Sequence, residues 1–265
     1  MNIKAVTAAF KQQGTQFLAD PQWIIPSIIA PFMFTVVALY MYSGTGGLDS
    51  PVVLTAVLGG GVLGMWGNML FSSGFTITYD RYNGTIEPIM LTPTHLIDVI
   101  TGRSIWNVFI GLVNAVLVFI SAQLIFGVGV SVANPAMFFP MLMMTLFSLA
   151  SIGIMLAALF VLTRASYVIT TILEFPIYVF SGALFPITAL PEVIQPVSYI
   201  FAPTWGVDAL KTAAIAGYDA PMTSFGMWFD VLMMFALIAI YITVAYFLFL
   251  RIEKNIRRTG TLARY

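Results

Sequence analysis

The chain has 265 residues, of which 60% are apolar and 8% charged, with zero net charge, whereas soluble domains carry about 25% charged residues. A soluble fold of this length has no interior large enough for so much apolar surface, so lipid must solvate part of it. Zero net charge points to no nucleic-acid partner, and the absence of cysteine excludes a disulfide framework, thiolate metal sites and thiol nucleophiles.

Residues 2 to 18 place Ile3, Val6, Phe10 and Phe17 on one helical face, with Lys4 and Lys11 well away from it. The spacing predicts a helix within residues 1–22 that lies on the inner membrane surface; a solvated tail is the alternative. The segment lacks the short apolar core and cleavage site of a secretory signal. Six apolar segments then reach the roughly 20 residues that a helix needs to cross a bilayer: Trp23 to Tyr42, Val52 to Thr78, Ser104 to Phe126, Met137 to Leu162, Val168 to Phe185 and Phe225 to Leu250. Helices are predicted because strands of a barrel alternate in short stretches and these runs do not. In the second segment, Gly59, Gly60, Gly61 and Gly64 cluster without a lysine, which suits close helix packing rather than phosphate binding.

Ten of the eleven Lys and Arg residues fall on one side of this plan: Lys4, Lys11, Arg81, Arg103, Arg164, Arg251, Lys254, Arg257, Arg258 and Arg264. The other side holds only Lys211. Basic residues mark cytoplasmic loops, so both termini, including the tail 251–265, are expected in the cytoplasm of a cell-membrane protein. The inner loop Tyr79 to Arg103 is too polar to cross and too long for a tight turn. Within it Gly84 suits a helix end, Thr85 a helix cap, and Thr92 followed by Pro93 a helix start, so short helices parallel to the membrane are expected. The outer segment 186–224 is punctuated by Pro186, Pro191, Pro196 and Pro203; its short apolar stretches predict a re-entrant hairpin in the outer leaflet. The expected fold is thus an all-α integral membrane domain spanning residues 1–265.

Chemistry is sparse. The phosphate-cradling GxxxxGK[ST] motif is absent, no catalytic residues are identified, and no metal is expected because the single histidine, His95, has no paired ligand; it reads as a polar loop residue. Glu174 is the one acidic residue deep in a span, two residues before Pro176. It is a candidate for a transport path or hinge, or else the span is seated so that Glu174 approaches the inner interface near Arg164. Asp208 and Lys211, three apart, predict a local helical ion pair.

Two stretches carry a resemblance. DRYNGTIEPIMLTP, Asp80 to Pro93, resembles the ERxxGTxExLLxTP stretch after the second span of ABC-2-type exporter permeases; SGALFPITALPEVIQPVSYIFAPTWGVDALK, Ser181 to Lys211, resembles their SGxxFPxxxLPxxLxxxxxxNPxTYxxDALR. Asp80 replaces the usual Glu, and Ala202-Pro203-Thr204-Trp205 stands in place of NPxTY. The resemblance implies a permease subunit that binds no cofactor itself and is driven by a separate ABC ATPase, two copies per complex, which holds ATP and Mg. It also implies a second permease chain, identical or homologous. The inner loop becomes a coupling helix seated on the ATPase, with Asp80, Arg81, Gly84, Thr85, Glu87 and Pro93 as coupling residues. Few ionisable groups in the spans suit an amphipathic or lipid-like cargo such as a drug, peptide antibiotic, lipid or glycan. The rivals are a self-contained secondary transporter or channel using Glu174, and a non-transporting membrane sensor.

Overall fold

The computed structural model describes residues 2–43, 50–126, 132–163, 166–218 and 225–259. They are helical, with no strand among them. In chain order the helices are α1 (Ile3–Ala19), α2 (Pro21–Ser43), α3 (Ser50–Tyr82), α4 (Ile86–Leu91), α5 (Leu96–Phe126), α6 (Pro135–Leu162), α7 (Ser166–Phe180), α8 (Gln195–Ser198), α9 (Ala202–Ala214) and α10 (Met227–Thr259), with a 3₁₀ turn at Ile187–Ala189.

By length and composition, four helices among the described residues suffice to cross a membrane: Val53–Leu70 of α3, Leu96–Leu124 of α5, Pro135–Leu162 of α6 and Met227–Asn255 of α10. Ser27–Met41 of α2 and Val168–Phe180 of α7 are shorter apolar stretches. The helix at the hub is α3, which packs against α2, α5, α6, α7 and α9. The apolar stretch of α3 is 83% buried, whereas that of α10 is only 17% buried. Apolar side chains on α10 such as Trp228, Leu232, Phe235 and Phe247 are therefore exposed, as expected where hydrocarbon is the solvent.

Glycines set the tightest crossing. A Cβ on Gly60 would lie 2.5 Å from the Thr35 backbone nitrogen, and one on Gly64 would lie 2.3 Å from Pro31. The GxxxG pair thus lets α2 run antiparallel against α3 at backbone distance. Gly59 is pressed against the Ala183 carbonyl, whereas Gly61 is not crowded, so three of the four clustered glycines serve close approach.

The inner loop differs from its prediction. Of the short helices expected there, one forms, the six-residue α4, because the flanking helices consume the rest: α3 runs on to Tyr82 and α5 begins at Leu96. Gly84 ends α3 in the left-handed region at φ 65°, a conformation favouring glycine. Thr92 does not open a helix with Pro93; its N–H and hydroxyl both donate to the Ile89 carbonyl and close α4. On the far side, α9 is buried almost throughout, whereas the preceding part of the expected hairpin is largely exposed, with Val193 at 90% and Ile200 at 62%. The end of α9 is pinned to the start of α6 by hydrogen bonds from the Ala133 and Asn134 N–H groups to the Ala214 and Ala213 carbonyls. Arg164, residues 219–224 of the hairpin and residues 260–265 of the tail lie outside the described residues.

Candidate functional site

Where α3 ends and α5 begins, polar side chains gather at one end of the bundle. Asp80, in the last turn of α3, is buried and accepts from the Arg103 guanidinium of α5 at 2.6 Å. Its other carboxylate oxygen accepts from the Thr85 hydroxyl at 3.0 Å, and its carbonyl accepts from the Thr85 N–H at 2.8 Å. Thr85 therefore holds the start of α4 by reaching back to α3; as the N-cap it makes no side-chain bond to its own helix. Arg103 also donates to Gln12 of α1 at 3.2 Å. A buried ion pair is costly to desolvate, and here additional hydrogen bonds from two further elements help satisfy it.

The neighbouring Arg81 turns the other way. Its guanidinium donates to the Val161 and Thr163 carbonyls at the C-terminus of α6, where helix carbonyls lack intrahelical donors and a cation is favoured. From α10, Glu253 accepts from the Leu96 N–H at 2.7 Å and contacts His95 Nδ1 at 2.9 Å, satisfying the first orphan donor of α5. The four longest apolar helices, α3, α5, α6 and α10, are thus clasped at one end by contacts from residues 80–103.

α1 joins the clasp as a packed element. Gly102 of α5 faces the Val6 carbonyl, which a Cβ would approach to 2.3 Å, and Gly14 of α1 rests on the Trp106 ring. Phe10 and Phe17 meet Trp106 edge-on at 5.3 and 6.2 Å between centroids, and the Asn2 N–H donates to Asp98 at 2.9 Å. The buried face is Ala9, Gln13 and Gly14. Of the predicted apolar face, Phe10 and Phe17 pack inward while Ile3 is 72% exposed.

Of the predicted coupling residues, Asp80, Arg81 and Thr85 sit in the clasp and Gly84 makes its turn. Pro93 lies in the exposed link between α4 and α5, beside a shallow groove with Asn2, Lys4 and Thr94. Glu87 lies within α4; its side chain falls outside the described ones. Gln12, Arg103, His95 and Glu253 complete the site although the sequence did not single them out for it. For His95 and Glu253, 158 positions apart, no local pattern exists to read.

Glu174 is half-buried in α7, where it accepts from the Tyr178 hydroxyl one turn on; Tyr178 in turn packs edge-on against Phe34 of α2 at 5.0 Å. Pro176 lies inside the same helix and removes one N–H from its ladder. At the opposite end, Asp208 and Lys211 of α9 form no direct ion pair. The Lys211 ammonium donates to the Gly182 carbonyl at 2.7 Å, and Asp208 takes a long 3.5 Å bond from the Tyr218 hydroxyl. In this helix, which does not span, burial pushes the Asp208 carboxyl up to about 6 and the Lys211 ammonium down to about 8, each shift opposed by the other's charge. No group of residues with metal-ligating character occurs among the described residues.

The model of one family, the ABC-2 type transporters, matches residues 4–215, which takes in nearly all of α1, residues 80–103 and α9. The chain belongs to the ABC-2 type transporter family. No curated protein matches it. Membership makes the chain a membrane component of an ABC transporter and implies partnership with an ABC ATPase in general. The stretch of this ABC-2 chain that resembles the family's coupling loop is also the stretch that holds its long helices together.

Proposed function

We infer that the chain is the permease subunit of an ATP-driven exporter, crossing the cell membrane six times with both termini in the cytoplasm. Two permease chains, identical or homologous, would enclose the path, and two separate ATPase subunits carrying ATP and Mg would drive it. The observation that carries this reading is the clasp: α4 is bound through Thr85 and Asp80 to α3 and α5, and its neighbour Arg81 binds α6. A push on α4 by a partner is therefore delivered to several spans at once, which is what a two-state lever requires. The few ionisable groups along the spans favour an amphipathic or lipid-like cargo. In the alternative secondary-transporter reading Glu174 would bind a proton or ion; its bond to Tyr178 accounts for that carboxyl locally, so the exporter reading is preferred.

Two experiments test this. Purified from its host, the chain is expected to carry an ABC ATPase with it, and its isolation alone would count against the exporter. Charge reversal within α4, Glu87→Lys, is expected to leave the chain folded while separating ATP hydrolysis from transport. Fully coupled transport by that variant would remove the coupling role.

A further inference from the structure

A cavity of about 320 Å³ opens between α1 and α3 beside the clasp. Its α3 wall is a polar stripe, Asn68, Ser72, Thr76 and Tyr79, spaced four, four and three so that all four share one face. At about 1.5 Å per residue the stripe runs roughly 16 Å along the helix. Asn68 lies within the apolar stretch Val53–Leu70 and the other three continue its face to the end of α3, so the cavity gives this row of uncharged polar groups a polar surrounding.

The opposing wall comes from α1. Gln13, 7% exposed, donates from its amide to the Ser72 hydroxyl at 3.1 Å, and Ser72 donates onward to Asn107 at 3.0 Å. Because the Ser72 proton is committed to Asn107, the Gln13 amide is oriented with its N–H toward Ser72, and its Oε1 has no hydrogen-bond partner. Gln16 supplies a second carboxamide, Phe17 an aromatic ring, and Asp20 the one carboxyl group of the lining. Among the described residues no Lys or Arg lines the space.

That chemistry selects its ligand. A phosphate-bearing headgroup would meet a carboxyl and no cation, which opposes it. A quaternary ammonium would bring no N–H or O–H donor to the carboxamide oxygens. A ring bearing several hydroxyls donates and accepts at each position, matching the carboxamides of Gln13 and Gln16 and the hydroxyls of Thr76 and Tyr79, and rests an apolar ring face on Phe17. The volume lies at the small end of ligand sites, about 300–1,000 Å³, which suits a headgroup rather than a whole amphiphile. Alongside, α2 leaves the same junction with Ile25, Ile28 and Ile29 about half exposed, a surface for hydrocarbon tails. We propose that the cavity between α1 and α3 binds the uncharged, polyhydroxylated headgroup of a membrane amphiphile, of the glycosyl-diacylglycerol class.

The proposal does not depend on ATP-driven export, since binding is measured without a motor and its failure leaves that reading intact. The full chain is placed in nanodiscs containing equal fractions of monoglucosyl-diacylglycerol, phosphatidylglycerol and phosphatidylethanolamine, and lipids retained on release are counted by native mass spectrometry. The glucosyl lipid is expected to be retained preferentially, and Gln16→Leu/Thr76→Val, which removes two polar contacts at nearly constant size, is expected to lower that retention about tenfold. Retention of the other two lipids should not change. Ala19→Phe, at an exposed position on the rim, tests the same point by narrowing the entrance without altering a buried group. A millimolar methyl glucoside arm separates the sources: displacement of the lipid shows that the sugar suffices, and no displacement shows that a membrane-borne headgroup is required; both support the site. Equal retention of all three lipids, preference for either phospholipid, or retention unchanged in both variants overturns it.

Discussion

The two ends of the molecule bury charge in opposite ways. At the loop end, Asp80 and Arg103 touch at 2.6 Å and are further bonded by Thr85 and Gln12, with the Arg103 Nε left without a hydrogen bond. At the hairpin end, Asp208 and Lys211 are equally buried but turn to different partners, with one Asp208 oxygen left without a hydrogen bond. The direct pair with its added bonds ties several helices into one body, whereas the separated charges at the hairpin end are each held by a nearby group, Gly182 or Tyr218. The loop end is accordingly built for rigid transmission, and the hairpin end for local anchoring of α9 to the Ser181–Gly182 turn.

The largest effect is expected from breaking the loop-end pair. Arg103→Leu leaves the Asp80 carboxylate buried without its cation and should destabilise the chain by about 3–5 kcal/mol, read as unfolding in lipid nanodiscs. The double variant Asp80→Leu/Arg103→Leu should recover part of that loss, which tests the pairing itself. At the hairpin end Lys211→Met should cost less, about 1–3 kcal/mol, because Asp208 answers the missing charge by taking up a proton. If Lys211→Met were as damaging as Arg103→Leu, the contrast between the ends would fail.

A smaller loss, again about 1–3 kcal/mol, is expected from Gly102→Ala, whose Cβ meets the fixed Val6 carbonyl at 2.3 Å. The signature would be release of α1, seen as new protease cleavage between residues 3 and 19. pH sharpens the comparison further. The folded-state pKa of Asp208, about 6, lies above its ordinary value of 3.8, so this group adds stability as pH falls from about 6 toward 4 and loses that contribution as pH rises through 6. Stability measured across that window should lose this slope in Asp208→Asn. The smallest effect belongs to His95→Ala: its side chain is 57% exposed, and removing its contact to Glu253 should cost less than about 1 kcal/mol.

Periodicity and local chemistry carried much of the fold. The apolar runs announced α3, α5, α6 and α10 because a long helix in lipid must be apolar along its length, and Gly84 announced its turn because a positive φ favours glycine. The loop motif likewise marked Asp80, Arg81 and Thr85, although of these only the Thr85 bonds back to Asp80 are local in the chain. Partner choice was not legible in the same way. Nothing near Arg103 indicates that it reaches back to Asp80 and Gln12, and the spacing of Asp208 and Lys211 promised a direct pair that the turn at Gly182 diverts. The inner loop was read as longer than it is because helix ends depend on what caps them, and the Glu253 that caps α5 comes from α10.

By itself, then, the sequence determined the apolar surroundings and the helical class, since each follows from composition or from neighbours within a few turns. Only the tertiary structure decided that α1 is wedged against α5, that residues 80–103 clasp four long helices, and that polar residues on α1 and α3 enclose a cavity. Those outcomes depend on which helices meet and at what distance, and hydrogen bonds between residues tens to more than a hundred positions apart form only after the packing has brought them together.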